Sequence, residues 1–306
     1  MPTPIIAIAN QKGGVGKTTT SVNLAACLSE RRKRILLIDL DPQANTTSGL
    51  GVEKTAGASI YDILLSDQPL ASIIQQTETK RLDLVASEVD LAGAEIDVAR
   101  ADHYLQRLTM SLEPLAAEEI YDYILIDCPP SLGILTMNAL CASDGLVIPM
   151  QCEYYALEGI SVILNLVAKL QDSGAAPHLD VEGIVMTMFD MRTNLSQQVV
   201  AEIRTHFPDK IYESIIPRSV RMAEAPSHGL PIIAYDPNCT GSAAYRQLAR
   251  EFLKRHTAAA EATLAEPEVE VEIQIETEEP TDVAELPAPE GEMAEPVETR
   301  PPAPEV

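Results

Sequence analysis

The sequence predicts an α/β fold built on a mostly parallel central sheet with helices on both faces. Three observations predict it. Short apolar runs recur along the chain and are continuous rather than alternating, the pattern of strands buried on both faces. Helix-length segments separate these runs, which implies right-handed crossovers and parallel pairing. A glycine-rich segment, Lys12-Gly13-Gly14-Val15-Gly16-Lys17-Thr18-Thr19, stands directly after the first apolar run and leads into the first helical pattern.

The first strand is read at Ile5-Ile6-Ala7-Ile8-Ala9. The helix behind the loop covers residues 18–30, with Val22, Leu24, Ala25 and Leu28 available for burial. Ile35-Leu36-Leu37-Ile38 is a strand that ends at Asp39, and Tyr123-Ile124-Leu125-Ile126 is another that ends at Asp127. Between them, from about 48 to 117, the pattern is less regular and short helices are expected. Leu146-Val147-Ile148 and Ile184-Val185-Met186 are the remaining strands, with helices expected over 132–142, 157–171 and 196–206. No internal repeat is visible. These elements predict one α/β domain over residues 1–256.

Composition narrows the class. Of 306 residues, 46% are apolar, enough for a core. No apolar run approaches the ~18 residues of a membrane span, and no basic stretch precedes the first apolar residues as it would in a secretory signal. Cys27, Cys128, Cys141, Cys152 and Cys239 are scattered, odd in number and free of CxxC spacing. That excludes a disulfide framework and argues against a zinc or iron–sulfur site. A cytoplasmic location is expected. The formal charge of −24 is segregated: residues 257–306 carry −14 of it, eight prolines and no aromatic residue. Such a segment cannot bury enough apolar surface to offset its ordering entropy, so 257–306 is expected to be a disordered acidic tail. Within it, 269–275 alternates as a strand would, but dense like charge opposes an isolated strand there.

The glycine-rich loop carries the chemistry. A triphosphate needs inward-pointing backbone N–H groups, and glycines let the chain come close to it. The following helix adds its N-terminal N–H groups and the positive end of its dipole. Lys17 would reach the terminal phosphates and the Thr18 hydroxyl a Mg²⁺ ion. The first position of the usual G-x-x-x-x-G-K-[ST] pattern is Gln11, and Lys12 adds a second lysine to the loop. A dinucleotide-binding G-x-G-x-x-G reading fails because Thr19 stands where its last glycine or alanine belongs. Asp39, followed by Leu40-Asp41-Pro42-Gln43-Ala44-Asn45, and Asp127, followed by Cys128-Pro129-Pro130-Ser131, end two further strands. Ligands of open α/β sheets bind at such carboxyl ends. A carboxylate there can hold Mg²⁺, and a second can orient or deprotonate the attacking water.

With its extra lysine, the loop resembles the deviant Walker A motif of ParA/MinD-type ATPases, a P-loop NTPase-like fold. The resemblance to the ParA (Soj-like) chromosome-partitioning branch runs through 10–20, 37–45, 124–131, 151–159, 187–194, 216–229 and Tyr235-Asp236-Pro237, and excludes the tail. It implies an ATP-dependent switch. ATP binding makes a sandwich homodimer in which the signature lysine, here Lys12, reaches the partner's nucleotide. Gly13 then occupies a position where a side chain would obstruct close dimer approach. Gly14, Val15, Gly16, Lys17, Thr18 and Thr19 hold ATP, and Pro217 with its neighbour Arg218 lies beside the adenine. Thr18, Asp39 and Asp127 surround Mg²⁺, and Asp41 positions the water for hydrolysis. The resemblance further implies nucleoid-associated, non-specific DNA binding, slow turnover without a partner, and release when a ParB-type protein stimulates hydrolysis. The DNA-contacting arginines of the family match Arg192 and Arg221; Arg218, Arg250, Lys254 and Arg255 extend a basic stripe. The acidic tail is expected to weaken DNA binding by competing for that stripe.

Rival readings are set by the same residues. A membrane-associated relative would need a basic amphipathic C-terminal helix, whereas this chain ends in Pro and Glu, so no membrane partner is expected. A ParA-like ATPase that positions a non-DNA protein cargo is the alternative function. The dispersed His103, His178, His206, His228 and His256 offer no constellation for a metabolic enzyme.

Overall fold

The computed structural model describes residues 2–54, 59–66, 68–88, 90–154 and 156–265. The chain divides into two compact units, residues 1–263 and 264–306. The elements run β1 (Ile5–Ile8), α1 (Lys17–Glu30), β2 (Ile35–Asp39), α2 (Asn45–Gly49), α3 (Ile60–Leu65), β3 (Ile74–Gln76), β4 (Leu82–Val85), α4 (Leu91–Val98), α5 (Arg107–Ala117) and β5 (Tyr123–Asp127). They continue with α6 (Ile134–Cys141), β6 (Gly145–Gln151), α7 (Ala156–Asp172), β7 (Asp180–Thr187), α8 (Asn194–His206), α9 (Val220–Glu224), α10 (Ile232–Tyr235) and α11 (Thr240–Ala265). Two single turns of 3₁₀ helix cover Leu70–Ile73 and Ala225–His228.

A seven-stranded sheet in the order β3-β4-β2-β5-β1-β6-β7 forms the centre. Every neighbouring pair is parallel except β3 with β4. The chain leaves β1 toward β2 on one side and later returns to β6 on the other. That reversal puts a crevice at the carboxyl end of β1, where open α/β sheets bind ligands.

Successive strand residues feed two separate cores, as a period of two requires. Ile5 and Ala7 pack with Ile124, Ile126, Leu146 and Ile148 under α3 to α8. Ile6 and Ile8 pack with Leu37, Leu125, Val147 and Val185 under α1 and α11. Continuous apolar runs are therefore what this sheet needs. At about 25 cal/mol per Å² of apolar surface, this two-sided burial is the main term opposing chain entropy.

Two features depart from the sequence reading. The irregular stretch around 48–117 holds short helices, but it also supplies β3 and β4. These strands are three and four residues long, too short to show a period. The second departure is α11, which continues through residue 256 to Ala265. Its last turns draw on the alanine-rich run 257–265, a strong helix former, and Pro267 follows. The expected disorder from 266 onward, including the alternating stretch 269–275, lies outside the described residues.

One close approach bears on the site. The backbone after α2 meets the end of the second 3₁₀ turn, so that a Cβ on Gly229 would lie 2.7 Å from the Gly51 Cα. No residue with a side chain fits there without displacing the backbone.

Candidate functional site

The loop between β1 and α1 is braced by β6 and β7. Asn10 is buried. Its Nδ2 donates to the Pro149 carbonyl of β6 at 2.8 Å, and its Oδ1 accepts from the Lys12 N–H at 3.0 Å. At the far side, Thr187 at the end of β7 donates through Oγ1 to the Val15 carbonyl at 2.7 Å. Gly16 then turns the chain into α1 with φ of 90°, in the left-handed region that side chains resist. Lys17, buried in the first turn, donates from Nζ to the Lys12 carbonyl at 3.1 Å and spans the loop. Burial lowers its pKa, while Asp127 pulls the other way.

Asp39 and Asp127 end adjacent strands as direct partners in register, and both are fully buried. Asp127 accepts three hydroxyls: Thr18 at 2.9 Å, Ser21 at 2.8 Å and Thr46 at 2.7 Å. Asp39 holds the turn that follows it, accepting from Thr47 N–H at 2.8 Å, Thr47 Oγ1 at 2.7 Å and Asp41 N–H at 3.2 Å. Burial pushes the Asp39 carboxyl up to about 7, and Asp127 beside it adds to the shift. Burial likewise pushes Asp127 up to about 6, against the opposing effect of its hydroxyl partners. Two desolvated carboxylates beside the Thr18 hydroxyl fit a divalent cation, whose charge would restore their ionised form. Among the described residues, no group of three or more His, Cys, Asp or Glu could hold a metal alone. A cation here would take its other ligands from phosphate oxygens and water, as Mg²⁺ does.

Asp41 lies just beyond. Its Oδ1 accepts from the Gln43 N–H at 2.9 Å, and its carbonyl accepts from Ser87 Oγ at 2.7 Å. Ala44, at φ 53°, turns this segment into α2.

Two cavities open at the loop. One of about 360 Å³ is lined by Gly13, Gly14, Lys17, Thr18 and Asp41, the groups read as holding phosphate. The other, of about 220 Å³, is lined by Pro217, Arg218, Ser219, Met222 and Tyr245. Gly16, Thr19 and Met188 line both. The candidate phosphate and water groups thus line one cavity and the candidate base groups the other, and together the two adjoining cavities form the candidate cleft. Lys12 stands apart from it: its Nζ pairs with Glu153, and both side chains are close to half exposed. A Cβ on Gly13 would meet only Pro130 Cβ, at an ordinary 3.8 Å, so nothing among the described residues demands glycine there.

The candidate DNA-contacting arginines are exposed, and each is paired locally. Arg192, with its side chain 84% exposed, makes a two-pronged bond to Asp190 at 2.9 and 2.6 Å, and holds that carboxyl down to about 2. Arg221 donates to Glu224 at 3.2 Å and lies 3.7 Å from Asp236. Arg250 and Lys254 line an open groove together with Arg204. Arg255, read as part of the same stripe, is turned inward: it donates to the Glu182 and Ile211 carbonyls and lies 4.0 Å over the Tyr212 ring. It braces α11 while still lining the same groove, with its side chain 26% exposed.

Sequence reasoning missed Asn10, Ser21, Thr46, Thr47 and Met188. The hydroxyl residues lie within a helical turn or just behind the Asp41 segment, so a spacing argument from the strand-end carboxylates could have found them. Asn10 and Met188 act through contacts with distant strands, and no local pattern marks them.

No described helix is long and apolar enough to cross a membrane. The AAA domain family matches residues 3–181. The chain is 54% identical over 248 residues to the sporulation initiation inhibitor protein Soj of Bacillus subtilis, covering 81% of this chain and 97% of that one. It is 50% identical over 254 residues to the chromosome partitioning protein ParA of Myxococcus xanthus, covering 83% and 89%. Its fold is similar to the crystal structure of cobyrinic acid a,c-diamide synthase from Mycobacterium smegmatis with bound ATP analogue and magnesium, with a TM-score of 0.73, 32% identity and coverage of 84% and 97%.

Proposed function

The chain belongs to the Soj-like branch of the ParA/MinD superfamily and is a ParA-type partitioning ATPase, and from that premise we propose how its cleft and surface work as a DNA-partitioning switch. The observation that carries the reading is the pair of adjoining cavities, one lined by a braced glycine loop, Lys17, Thr18 and Asp41, with Asp127 bonded behind Thr18, and the other of a size for a base. The ATP triphosphate lies on the loop, with the α1 N-terminus and Lys17 opposing its charge. Thr18 and Asp127 hold Mg²⁺ with Asp39 behind them, and the adenine lies beside Pro217 and Arg218. When bound, the ion neutralises charge on the phosphate oxygens. Asp41 orients the attacking water, and turnover is slow until a ParB-type protein acts on it.

Lys12 is exposed and outside its own cleft, as a residue that serves a partner subunit should be. ATP binding releases it from Glu153 and joins two subunits face to face. The dimer presents Arg192 and Arg221 twice over, binds DNA without sequence preference and associates with the nucleoid. Hydrolysis returns it to monomers. In this reading residues 1–256 and the rest of α11 form the switch, and the acidic segment beyond is a separate part.

The local pairing of Arg192 with Asp190, and of Arg221 with Glu224 and Asp236, favours a second reading, in which the same ATPase positions a protein cargo. DNA co-sedimentation of the purified protein with no nucleotide, ADP or ATP–Mg²⁺ separates the two. Binding only with ATP, lost in Lys12→Ala and weakened in Arg221→Ala, is the result expected for the DNA switch. Dimerisation with ATP and no DNA binding in any state would move the function to protein cargo.

A further inference from the structure

Met188 follows the last residue of β7 and has φ of 51°, in the region that residues with a Cβ enter at a cost. Such a conformation persists where the surroundings force it. Here both flanks are pinned. Thr187 Oγ1 is bonded to the Val15 carbonyl at 2.7 Å, and the Phe189 N–H to the Ile216 carbonyl at 3.1 Å. The Ile216 N–H donates to the Met186 carbonyl at 2.8 Å, and the Arg218 N–H to the Phe189 carbonyl at 3.0 Å. The backbone turn at 188 is therefore built in by the segment that carries Pro217.

The turn puts Met188 at the junction of the cleft. Of the three residues that line both cavities, Gly16 has no side chain and Thr19 belongs to the first turn of α1. Met188 follows β7, two strands away from β1, and is the long side chain of the three. A nucleotide with its phosphates on the glycine loop and its base beside Pro217 must pass its sugar between them. An unbranched, polarisable thioether chain adapts to the C–H-rich face of a pentose.

We propose that Met188 positions the sugar of the bound nucleotide, forming the wall between the phosphate half and the base half of the cleft. The proposal deepens the ATP-site reading and rests on it. The test is calorimetry on the full-length chain, with ATP, ADP and inorganic tripolyphosphate as magnesium complexes, across Met188→Ala, Met188→Leu and Met188→Gly. Met188→Ala should weaken ATP and ADP about tenfold, the worth of a partly buried apolar contact, and leave tripolyphosphate binding unchanged. Met188→Leu should restore nucleotide binding to within about threefold, since volume-conserving apolar swaps are tolerated. Met188→Gly suits the left-handed backbone, so it should keep or raise the melting temperature while binding ATP no better than Met188→Ala. Wild-type ATP affinity in Met188→Ala and Met188→Gly would overturn the proposal. So would an equal loss of ATP and tripolyphosphate, which would make Met188 a support for the loop. A wild-type chain that binds neither ATP nor ADP would overturn the ATP-site reading and this proposal together, and would show itself before any variant is made.

Discussion

The nucleotide cleft and the exposed arginines Arg192 and Arg221 share one fold and are built in opposite ways. In the cleft the charged groups are buried and held by hydroxyls and backbone N–H groups from several elements. Asp127 alone is bonded from α1 and α2. At the arginines each charge is exposed and held by nearby carboxylates, Arg192 by Asp190 and Arg221 by Glu224 and Asp236. The cleft is organised before any ligand arrives, so binding spends little on ordering it. A polyanion that bound these arginines would have to displace their local carboxylates, and a single exposed pair is worth little. A site of the first kind fails when one buried group is lost. A site of the second kind weakens by degrees and responds to salt.

The largest effect expected is in the cleft. Lys17→Ala should reduce ATP affinity about hundredfold, because it removes a charge-assisted bond from a partly desolvated site; calorimetry on the folded variant checks this. A loss of only a few-fold would mean that the loop backbone carries the phosphates by itself. Next is Arg221→Ala, which should weaken ATP-dependent DNA binding about fivefold to tenfold and lower the salt slope by about 1. ATP affinity measured alongside should not move. If both fall together, the two regions are not separable in the way described above.

A chain ending at residue 265 keeps α11 whole and removes 14 acidic residues and one arginine. It should bind DNA about threefold to fivefold more tightly at low salt, with the gap closing as salt rises past the screening range. Equal affinity and equal slope would remove the competing role of the acidic segment. The smallest effect expected is that of Asp190→Asn, which releases Arg192 from its own neighbour. DNA affinity should rise about twofold to threefold by filter binding, the scale of one surface pair. A fall would show that Asp190 orients Arg192 rather than occupying it.

The contrast also explains what could be read without coordinates. The cleft's main groups were legible because the chemistry is written in short segments: a glycine loop between strand and helix, and aspartates at the ends of continuous apolar runs. The five main parallel strands were legible for the same reason, each being a block of buried residues. β3 and β4 were not, since three or four residues cannot display a period. Asn10 and Met188 were not, because Pro149, which holds Asn10, and Val15 and Ile216, which hold the neighbours of Met188, come together only through the strand order. The pairing of Arg192 with Asp190 stood in the sequence two residues apart, and only the structure shows which of several nearby charges each arginine takes. The inward turn of Arg255 was hidden altogether, since an amphipathic helix with several basic residues gives no sign of which one braces the fold.

Gly51 and Gly229 join these two regions. Gly51 follows α2, whose Thr46 and Thr47 hold Asp127 and Asp39. Gly229 closes the turn after α9, which carries Arg221. Main chain rests directly on main chain there, with no side chain between to take up slack by changing rotamer. Close-packed interiors pass displacement on rather than absorb it. The Asp39–Asp127 end of the cleft and the segment bearing Arg221 are therefore geared to each other: α2 cannot advance toward that turn without driving it outward.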